Sequence, residues 1–360
     1  MKVFCCKTKI ISGAGAVNDL AELGADKVFL VADPYFVKNG TADRVLKAAK
    51  ARQSEVFCDV QPDPSVELAA AGTVKLKAFK PDLVIALGGG SAIDCAKAIR
   101  YFAEEENVFA VIPTTSGSGS EVTDFAILTH GEAKHPLVDP SLRPDVAILD
   151  SELLRELPKA LIADSGFDVL SHALEAYVAT DGGTVTDCLA REGFATAFKM
   201  LPLSFNGNVD VRLSVHEASC ISGMAFTQAG LGICHALSHA LGGMFHIPHG
   251  RLNAVLLPAV VGVNSAVAGR KYAEIAKAAG IGGGAETILV RNLKNSLIRL
   301  RHELQLPDTL TQAGADIKQL RSRQADIINI AMADPCCSTN PMPVTENLLR
   351  QVLEEVTGRG

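Results

Sequence analysis

The chain has 360 residues, of which 48% are hydrophobic and 21% are charged, as in soluble globular proteins with one large domain or two. Its net charge of −6 and the lack of a basic run mixed with aromatics argue against nucleic-acid binding. Nine scattered cysteines without a Cys-x-x-Cys pair predict reduced thiols in the cytoplasm and no disulfide framework. We expect no secretory signal, because the N-terminus has no long apolar core or cleavage site, and no membrane span, because no apolar run reaches the ~18 residues that a span needs.

Strand and helix patterns alternate through residues 1–157. Short apolar or β-branched runs predict strands, and Ser65 is a predicted helix N-cap. The predicted strands are 28–32, 55–60, 83–87 and 108–112; the predicted helices are 37–51, a segment from Ser65 onward, and 92–102. This alternation indicates an α/β domain with a doubly wound, mostly parallel sheet.

Two polar turns follow neighbouring predicted strands. The turn Gly88-Gly89-Gly90-Ser91 precedes a helix, where close backbone approach and free N–H groups suit a phosphate; a simple tight turn is the alternative. The loop Pro113–Thr123 follows the next strand, where doubly wound sheets bind ligands, although a flexible surface loop has the same composition. Asp33 ends an earlier strand and can accept a hydrogen bond from a ribose, which favours NAD over NADP; Asp-Pro is also an ordinary turn.

Helical patterns dominate the remainder of the chain, and we predict a second, all-helical domain over residues 158–360. A single α/β domain with additional helices is the alternative. The predicted helices are 163–179, 184–200, 209–229, 233–242, 253–264, 269–279, 285–304, 316–333 and 345–356.

Histidines gather in an apolar setting within this second region. Asp168 and His172 share the i, i+4 spacing that places two side chains on one helix face, and His235 and His239 repeat it. His249 adds an imidazole from a Pro-His-Gly turn. One carboxylate with several imidazoles and no thiolate suits Fe²⁺ or Zn²⁺ and argues against a structural zinc site. A cluster of hydrogen-bonded core histidines is the alternative.

The order of these motifs resembles that of the iron-containing, group III alcohol dehydrogenases over nearly the whole chain. The shared motifs are Gly88-Gly89-Gly90-Ser91 with Asp94 and Lys97, the Pro113–Thr123 loop, Gly166-x-Asp168 with His172-Ala173-x-Glu175-Ala176, the His235–Gly250 block, and Asn340-Pro341. The segment Phe245–Gly250 is most similar to the propanol dehydrogenases of diol-degrading microcompartments. The resemblance implies a dehydroquinate synthase-like architecture.

The resemblance also implies a role for each matching residue. It makes Asp168, His172, His235 and His249 the ligands of one divalent metal, with Fe²⁺ expected and Zn²⁺ the alternative. It makes His239 the catalytic, non-ligand histidine beside the substrate, and gives His246 no role. The implied NAD(H) contacts are Asp33, Gly89, Gly90, Ser91, Asp94, Thr114, Thr115, Ser118 and Lys134.

The implied activity is the reversible reduction of a short-chain, propionaldehyde-like aldehyde to a primary alcohol by hydride transfer from NADH to a metal-polarised carbonyl. The alternatives are a polyol or glycerol-type dehydrogenase, a lactaldehyde reductase, a dehydroquinate-synthase-like lyase, and a non-catalytic nucleotide- and metal-binding protein. We expect a small-molecule aldehyde or alcohol as partner, no nucleic acid, no membrane, and a homodimer or larger homo-oligomer. The expected location is the cytoplasm, with a bacterial microcompartment, its enzymes and its shell as an open alternative.

Overall fold

A computed structural model describes residues 3–131 and 133–358, apart from the side chains of Ala133 and Lys134. The chain divides into two compact units, one of Cys5–Leu157 and one that runs from Pro158 onward and includes residues 3–4. The first unit is α/β and the second is helical, which confirms the predicted fold class.

A six-stranded parallel sheet forms the centre of the first unit, in the order β1-β8-β5-β4-β2-β3, and β6 and β7 form a separate antiparallel hairpin. The strands are β1 (Lys9–Gly13), β2 (Lys27–Ala32), β3 (Gln53–Phe57), β4 (Leu83–Gly88), β5 (Val108–Pro113), β6 (Phe125–His130), β7 (Ala133–Val138) and β8 (Val146–Asp150). The sequence pattern predicted β2 to β5 and missed the other four. β1 is a partly exposed strand that pairs only with β8, so its sequence lacks the apolar run of a central strand.

The helices of the first unit are α1 (Pro34–Lys38), α2 (Thr41–Ala49), α3 (Val66–Phe79) and α4 (Gly90–Ala103). The prediction of one helix over 37–51 is wrong. Gly40 interrupts it with a left-handed backbone, φ 81°, which an α-helix cannot continue through. The predicted cap is confirmed, because the Ser65 hydroxyl accepts a hydrogen bond from the Leu68 N–H at 3.1 Å.

Both faces of the sheet are covered, as a doubly wound sheet requires. Alternate residues of a strand point to opposite faces. Phe29 packs in one core with Ile99 of α4, whereas its neighbour Leu30 packs in a second core with Val45 of α2. All six residues of β4 are buried, which explains its unbroken apolar sequence.

The pairing of β4 and β5 brings the two predicted polar turns together. Gly88 lies opposite Pro113 in the parallel register, and the Thr114 N–H donates to the Gly88 carbonyl at 3.0 Å. The glycine turn and the Pro113–Thr123 loop therefore leave the sheet side by side at its carboxyl edge.

The second unit contains the helices α5 (Lys159–Val178), α6 (Thr184–Phe205), α7 (Arg212–Ala229), α8 (Ile233–Phe245), α9 (His249–Ala278), α10 (Glu286–Glu303), α11 (Ile317–Ser322), α12 (Gln324–Ala333) and α13 (Glu346–Thr357). Two predictions are wrong here: the segments 253–264 and 269–279 belong to the single helix α9, and the predicted helix 316–333 divides into α11 and α12 at Arg323. α9 continues through Gly269 because it packs on neighbouring helices along its length, which outweighs the ~1 kcal/mol that a helical glycine costs.

By length and hydropathy alone, α9 could cross a membrane, contrary to the expectation from apolar runs. Most of its apolar residues are buried inside the unit, as in the core helix of a globular fold.

We predict opposite effects of alanine at two helical glycines. A Cβ at Gly72 of α3 would overlap the Ile99 side chain, whereas a Cβ at Gly262 of α9 would meet only the flexible end of Lys294 at 3.2 Å. Gly72→Ala should lower the free energy of unfolding by about 1–3 kcal/mol through overpacking. Gly262→Ala should leave it unchanged or raise it by up to about 1 kcal/mol. Urea unfolding of both variants measures the difference, and equal behaviour would contradict the described α3–α4 contact.

Candidate metal centre and dinucleotide site

Three helices bring four predicted ligands together. Asp168 and His172 lie on α5, His235 on α8, and His249 is the first residue of α9. The Oδ1 atom of Asp168 lies 3.8, 3.7 and 3.5 Å from the Nε2 atoms of His172, His235 and His249. Ligand atoms of Asp168, His172 and His235 all lie within 4.8 Å of one another, a spacing that one first-row metal ion about 2.1 Å from each could span, and His249 adds a nitrogen near Asp168.

The surrounding imidazoles keep the Asp168 carboxylate ionised. Although burial opposes ionisation, the imidazoles of His172, His249 and His235 hold the pKa of Asp168 well below its usual range. The His172 ring stacks between Phe226 and His235, with centroid distances of 4.3 and 4.6 Å. The ligand set is therefore an anionic oxygen with imidazole nitrogens against an aromatic wall, a donor set that Fe²⁺ and Zn²⁺ both accept.

Glu175 orients the ring of His235. One carboxylate oxygen lies 2.5 Å from His235 Nδ1, and the other accepts a hydrogen bond from the Cys234 N–H at the start of α8, at 2.7 Å. A carboxylate that accepts from Nδ1 fixes the tautomer and leaves Nε2 free for a metal. Although burial would lower the pKa of His235, hydrogen bonds to Asp168 and Glu175 raise it to about 9, so a metal that binds Nε2 must displace a proton. Gly232 leaves the room for Glu175, because a Cβ there would lie 2.7 Å from Oε1.

Asn253 fixes the Asp168 carboxylate and was not predicted from the sequence. Its Nδ2 donates to Asp168 Oδ1 at 2.8 Å and lies 3.2 Å from His249 Nε2. Its Oδ1 accepts a hydrogen bond from the Ser238 hydroxyl at 2.5 Å. The Ser238 hydroxyl thus fixes the Asn253 amide, and the amide in turn fixes the ligand oxygen of Asp168. Its i+4 spacing from His249 on α9 was the sequence signal that could have found it.

The start of α9 fits closely against α5, which sets the position of His249. A Cβ at Gly250 would overlap the backbone oxygen of Asp164. The guanidinium of Arg251 pairs with both oxygens of Asp164, at 3.1 and 2.9 Å. Gly250 is therefore required by the close approach of two helices, and the ion pair fixes the approach.

His239 lies beside the ligand set and has a partner of its own. Its Nδ1 is 2.7 Å from Asp334 Oδ2, and its ring stacks on His249 with a centroid distance of 5.2 Å. Burial would raise the pKa of Asp334, but the hydrogen bond from His239 and those from Cys336 lower it to about 2. Asp334 was not predicted from the sequence, although an Asp-Pro pair before a turn is a recognisable cap signal.

His246, which had no predicted role, ends α8. It is exposed, its backbone is left-handed with φ 53°, and its N–H donates to the Gly242 carbonyl at 3.0 Å. The residue is thus a helix cap.

Six of the predicted dinucleotide residues follow β4 and β5 at the carboxyl edge of the sheet: Gly89, Gly90, Ser91, Thr114, Thr115 and Ser118. α4 starts at Gly90, and the glycine turn before it packs tightly on the Pro113–Thr123 loop. A Cβ at Gly89 would lie 3.2 Å from Thr115, and a Cβ at Gly90 would lie 3.2 Å from Ser118. Thr114 is buried, whereas Ser91 is partly exposed at the first turn of the helix. The backbone N–H groups at this helix start suit a phosphate, and a side chain at Gly89 or Gly90 would crowd the second loop.

Two acidic residues flank the turn. Asp33 caps α1, accepts a hydrogen bond from the Tyr35 N–H at 2.8 Å, and lies beside Gly88. Asp94 on α4 is buried and accepts from the Ile127 N–H at 3.1 Å; burial raises its pKa to about 6 against the charge of Lys97.

The two lysines of the predicted motifs, Lys97 and Lys134, are not part of the glycine turn. The buried Lys97 ammonium donates to the Thr123 carbonyl, the Thr123 hydroxyl and the Phe125 carbonyl, at 2.9, 2.8 and 2.8 Å. It therefore ties the end of the second loop to α4, and burial lowers its pKa to about 8. Lys134 lies in β7 opposite Thr129, and its predicted cofactor contact falls on a side chain outside the described part of the structure.

Comparisons with known proteins agree with both parts of this description. A family model for iron-containing alcohol dehydrogenase matches residues 7–151, and a model for the C-terminal part of the Fe-containing alcohol dehydrogenase family matches residues 162–357. The chain belongs to the iron-containing alcohol dehydrogenase family. The predicted resemblance is confirmed, and the protein is an oxidoreductase of the alcohol dehydrogenase class.

Relatives of this dehydrogenase span its full length. An NADPH-dependent butanol dehydrogenase of Clostridium saccharobutylicum is 37% identical over 98% of this chain and 97% of its own. A 1-propanol dehydrogenase of Citrobacter freundii is 36% identical over 99% of this chain and 100% of its own. The structure of a sulfoacetaldehyde reductase of Bifidobacterium kashiwanohense in complex with NAD⁺ matches with a TM-score of 0.90 and 27% identity over 100% of both chains.

We predict that Gly250→Ala separates α9 from α5 and with it His249 from Asp168. The added methyl has no space at the Asp164 backbone, so the variant should lose most of its bound metal and about 1–3 kcal/mol of unfolding free energy. Metal analysis and thermal unfolding of the purified dehydrogenase measure both. Gly243→Ala on α8, where a Cβ meets nothing within 4 Å, is the control and should keep its metal.

We predict that Glu175→Gln weakens metal binding without removing a ligand. The amide is uncharged and has only one accepting oxygen for the two donors, the Cys234 N–H and His235 Nδ1, so affinity should fall by about 10- to 100-fold, as measured by competition with a chelator. Glu274→Gln on α9 is the matched control, because Glu274 accepts from the Tyr177 hydroxyl and pairs with Arg270 but contacts no ligand. Equal affinity in the two variants would contradict the role given to Glu175.

Proposed function

We propose that this alcohol dehydrogenase reversibly reduces short-chain, propionaldehyde-like aldehydes to primary alcohols with NADH. Residues 1–157 would bind the dinucleotide, and residues 158–360 would hold the metal and the catalytic groups. The observation that carries the proposal is the convergence of three imidazole nitrogens within 3.8 Å of one buried carboxylate oxygen. A dehydrogenase of this kind takes up one proton and one hydride for each aldehyde reduced.

Asp168, His172, His235 and His249 would hold the metal in this proposal. A bound divalent cation supplies Lewis-acid polarisation of a carbonyl oxygen. We propose Fe²⁺ as the native ion, in line with the family, and Zn²⁺ as the alternative that the same donors accept. The charge of Asp168, fixed by Asn253, and the imidazole of His235, fixed by Glu175, keep the donors in one arrangement before any ion binds.

His239 would be the proton relay. A carboxylate can only accept, so the contact with Asp334 fixes the proton of His239 on Nδ1 and leaves Nε2 with a free lone pair. Nε2 can then exchange a proton with the oxygen of the product alcohol, directly or by way of the cofactor ribose. Asp334 is a positioning residue in this scheme, since it acts through the imidazole.

The dinucleotide would lie along the carboxyl edge of the sheet in the first unit. When bound, the nicotinamide supplies the hydride. Gly89, Gly90 and Ser91 at the start of α4 would hold the pyrophosphate, and Thr114, Thr115 and Ser118 would hold the nicotinamide half. The remaining predicted contacts are Asp33, Asp94 and Lys134.

We propose NAD(H) over NADP(H) because Asp33 places a carboxylate beside the turn, where it would repel a 2′-phosphate. The relatives point both ways: the sulfoacetaldehyde reductase is described with NAD⁺, and the butanol dehydrogenase is named for NADPH. The test of the function therefore compares NADH with NADPH.

The substrate class is proposed from the propanol and butanol dehydrogenases among the relatives. We further propose a cytoplasmic homodimer or larger homo-oligomer. Encapsulation in a bacterial microcompartment is a finer proposal that rests on the likeness of Phe245–Gly250 to the propanol dehydrogenases of such compartments.

The test is a kinetic panel on one metal-analysed sample. NADH and NADPH oxidation is followed with saturated aldehydes of about two to five carbons, lactaldehyde, dihydroxyacetone and the corresponding alcohols and polyols. We expect the highest kcat/KM with NADH and three- or four-carbon aldehydes, and a decrease of about 10-fold or more for a missing methylene. Preference for polyols or lactaldehyde would move the assignment to those dehydrogenases. No turnover with any carbonyl compound, despite bound metal and NADH, would contradict the function.

We predict that two histidine variants separate metal binding from proton transfer. His249→Ala should lose metal and turnover together, because it removes a ligand. His239→Ala should keep its metal and change the pH dependence of kcat/KM, because it removes only the relay. Full activity of a metal-free His249→Ala protein would overturn the ligand set, and metal loss in His239→Ala would mean that the two histidines have exchanged roles.

A further inference from the structure

A second group of potential metal ligands lies next to the first and shares none of its residues. His239, Asp334 and Cys336 each offer one ligand atom, and the three atoms lie within 4.8 Å of one another. All three side chains are partly exposed, with His239 32% and Asp334 13% accessible, so ions from solvent can reach them. The group contains the thiol that the Asp168 ligand set lacks.

Asp334 arranges the other two members of this group. It caps the short 3-10 helix Pro335–Thr339, and its Oδ1 accepts a hydrogen bond from the Cys336 N–H at 2.8 Å. Its Oδ2 lies 2.7 Å from His239 Nδ1. One carboxylate therefore fixes a thiol-bearing residue on one side and an imidazole on the other, and the donors are near each other before an ion arrives.

We propose that His239, Asp334 and Cys336 form a second, inhibitory site for a thiophilic divalent cation such as Zn²⁺. Nitrogen, oxygen and sulfur from three side chains are ligands that zinc accepts together, with a fourth position left for water. The cation takes the place of the proton between His239 Nδ1 and Asp334, and that proton moves through solvent to His239 Nε2. The Cys336 thiol releases its proton to solvent as the metal–sulfur bond forms.

Zinc at this site inhibits the enzyme by withdrawing His239 from proton transfer, a consequence that rests on the proposed function of His239. The ion does not need to displace the metal at Asp168, because no ligand is shared. The two sites differ in donor type: iron is compatible with the oxygen and imidazole set, and the thiolate set favours zinc. Inhibition should therefore be rapid and reversed by a weak chelator while the first metal stays bound.

The binding test uses Co²⁺ as the probe on enzyme that already holds one metal per chain. Wild type should take up a second equivalent with a sulfur-to-cobalt charge-transfer absorption. Cys336→Ser should lose both that absorption and the second equivalent. Cys337→Ser is the matched control and should keep both, because the Cys337 thiol donates to the Ala331 carbonyl at 3.0 Å and is not a member of the group.

Two further variants separate this proposal from the proposed function. His239→Ala keeps every thiol and should also lose the second equivalent, which excludes misfolding of the serine variant as the cause. His249→Ala should lose the first metal and still give the thiolate absorption. An absorption that survives in Cys336→Ser, that disappears in His249→Ala, or that never forms in wild type would overturn the second site, whatever the enzyme does with aldehydes.

An activity measurement tests the inhibitory role. Excess Zn²⁺ should lower the aldehyde reductase rate of the iron-loaded wild type and of Cys337→Ser, and a weak chelator should restore it. The rate of Cys336→Ser, relative to its own zinc-free rate, should be insensitive to the same zinc concentration. Equal inhibition of wild type and Cys336→Ser would overturn the inhibitory role.

Discussion

The helical unit depends on one buried anion. The Asp168 carboxylate lies among three imidazoles, and a charge in such a place is costly unless it is paired and hydrogen-bonded. The carboxylate accepts a hydrogen bond from the Asn253 amide and lies beside the imidazole of His235, which Glu175 holds in position. Asn253 lies on α9, His235 on α8 and Glu175 on α5. The packing of these three helices therefore creates the environment of the Asp168 carboxylate.

Glycines set the distances within that arrangement. Gly250 allows the first turn of α9 to approach the backbone of α5, and Gly232 leaves space for Glu175 at the start of α8. Neither residue has a side chain that could bind a substrate or an ion. Each glycine matters because it has no side chain and so allows a close approach. This explains why metal ligands and glycines occur next to each other in these short segments.

The sequence predicted what is local and missed what depends on distant partners. The i, i+4 pairs of α5 and α8, the glycine turn and the strands β2 to β5 are visible in short windows, because period and turn chemistry are local properties. Asn253 and Asp334 were missed because their significance depends on partners far away in the chain, Asp168 and His239. The continuity of α9 was missed for the same reason: tertiary packing, which no local window contains, outweighs the cost of a helical glycine.

The separation of the ligands along the chain makes a bound ion a cross-link. Asp168 on α5 lies far along the chain from His235 on α8 and His249 on α9, and an ion that binds all three would close the long stretch between α5 and α8 at one point. Because only the folded chain offers the complete ligand set, the ion binds the folded state, and the stabilisation grows with ion concentration. A metal bound by these residues would therefore stabilise the helical unit as well as serve the proposed reaction, and the unfolding free energy would depend on the metal concentration.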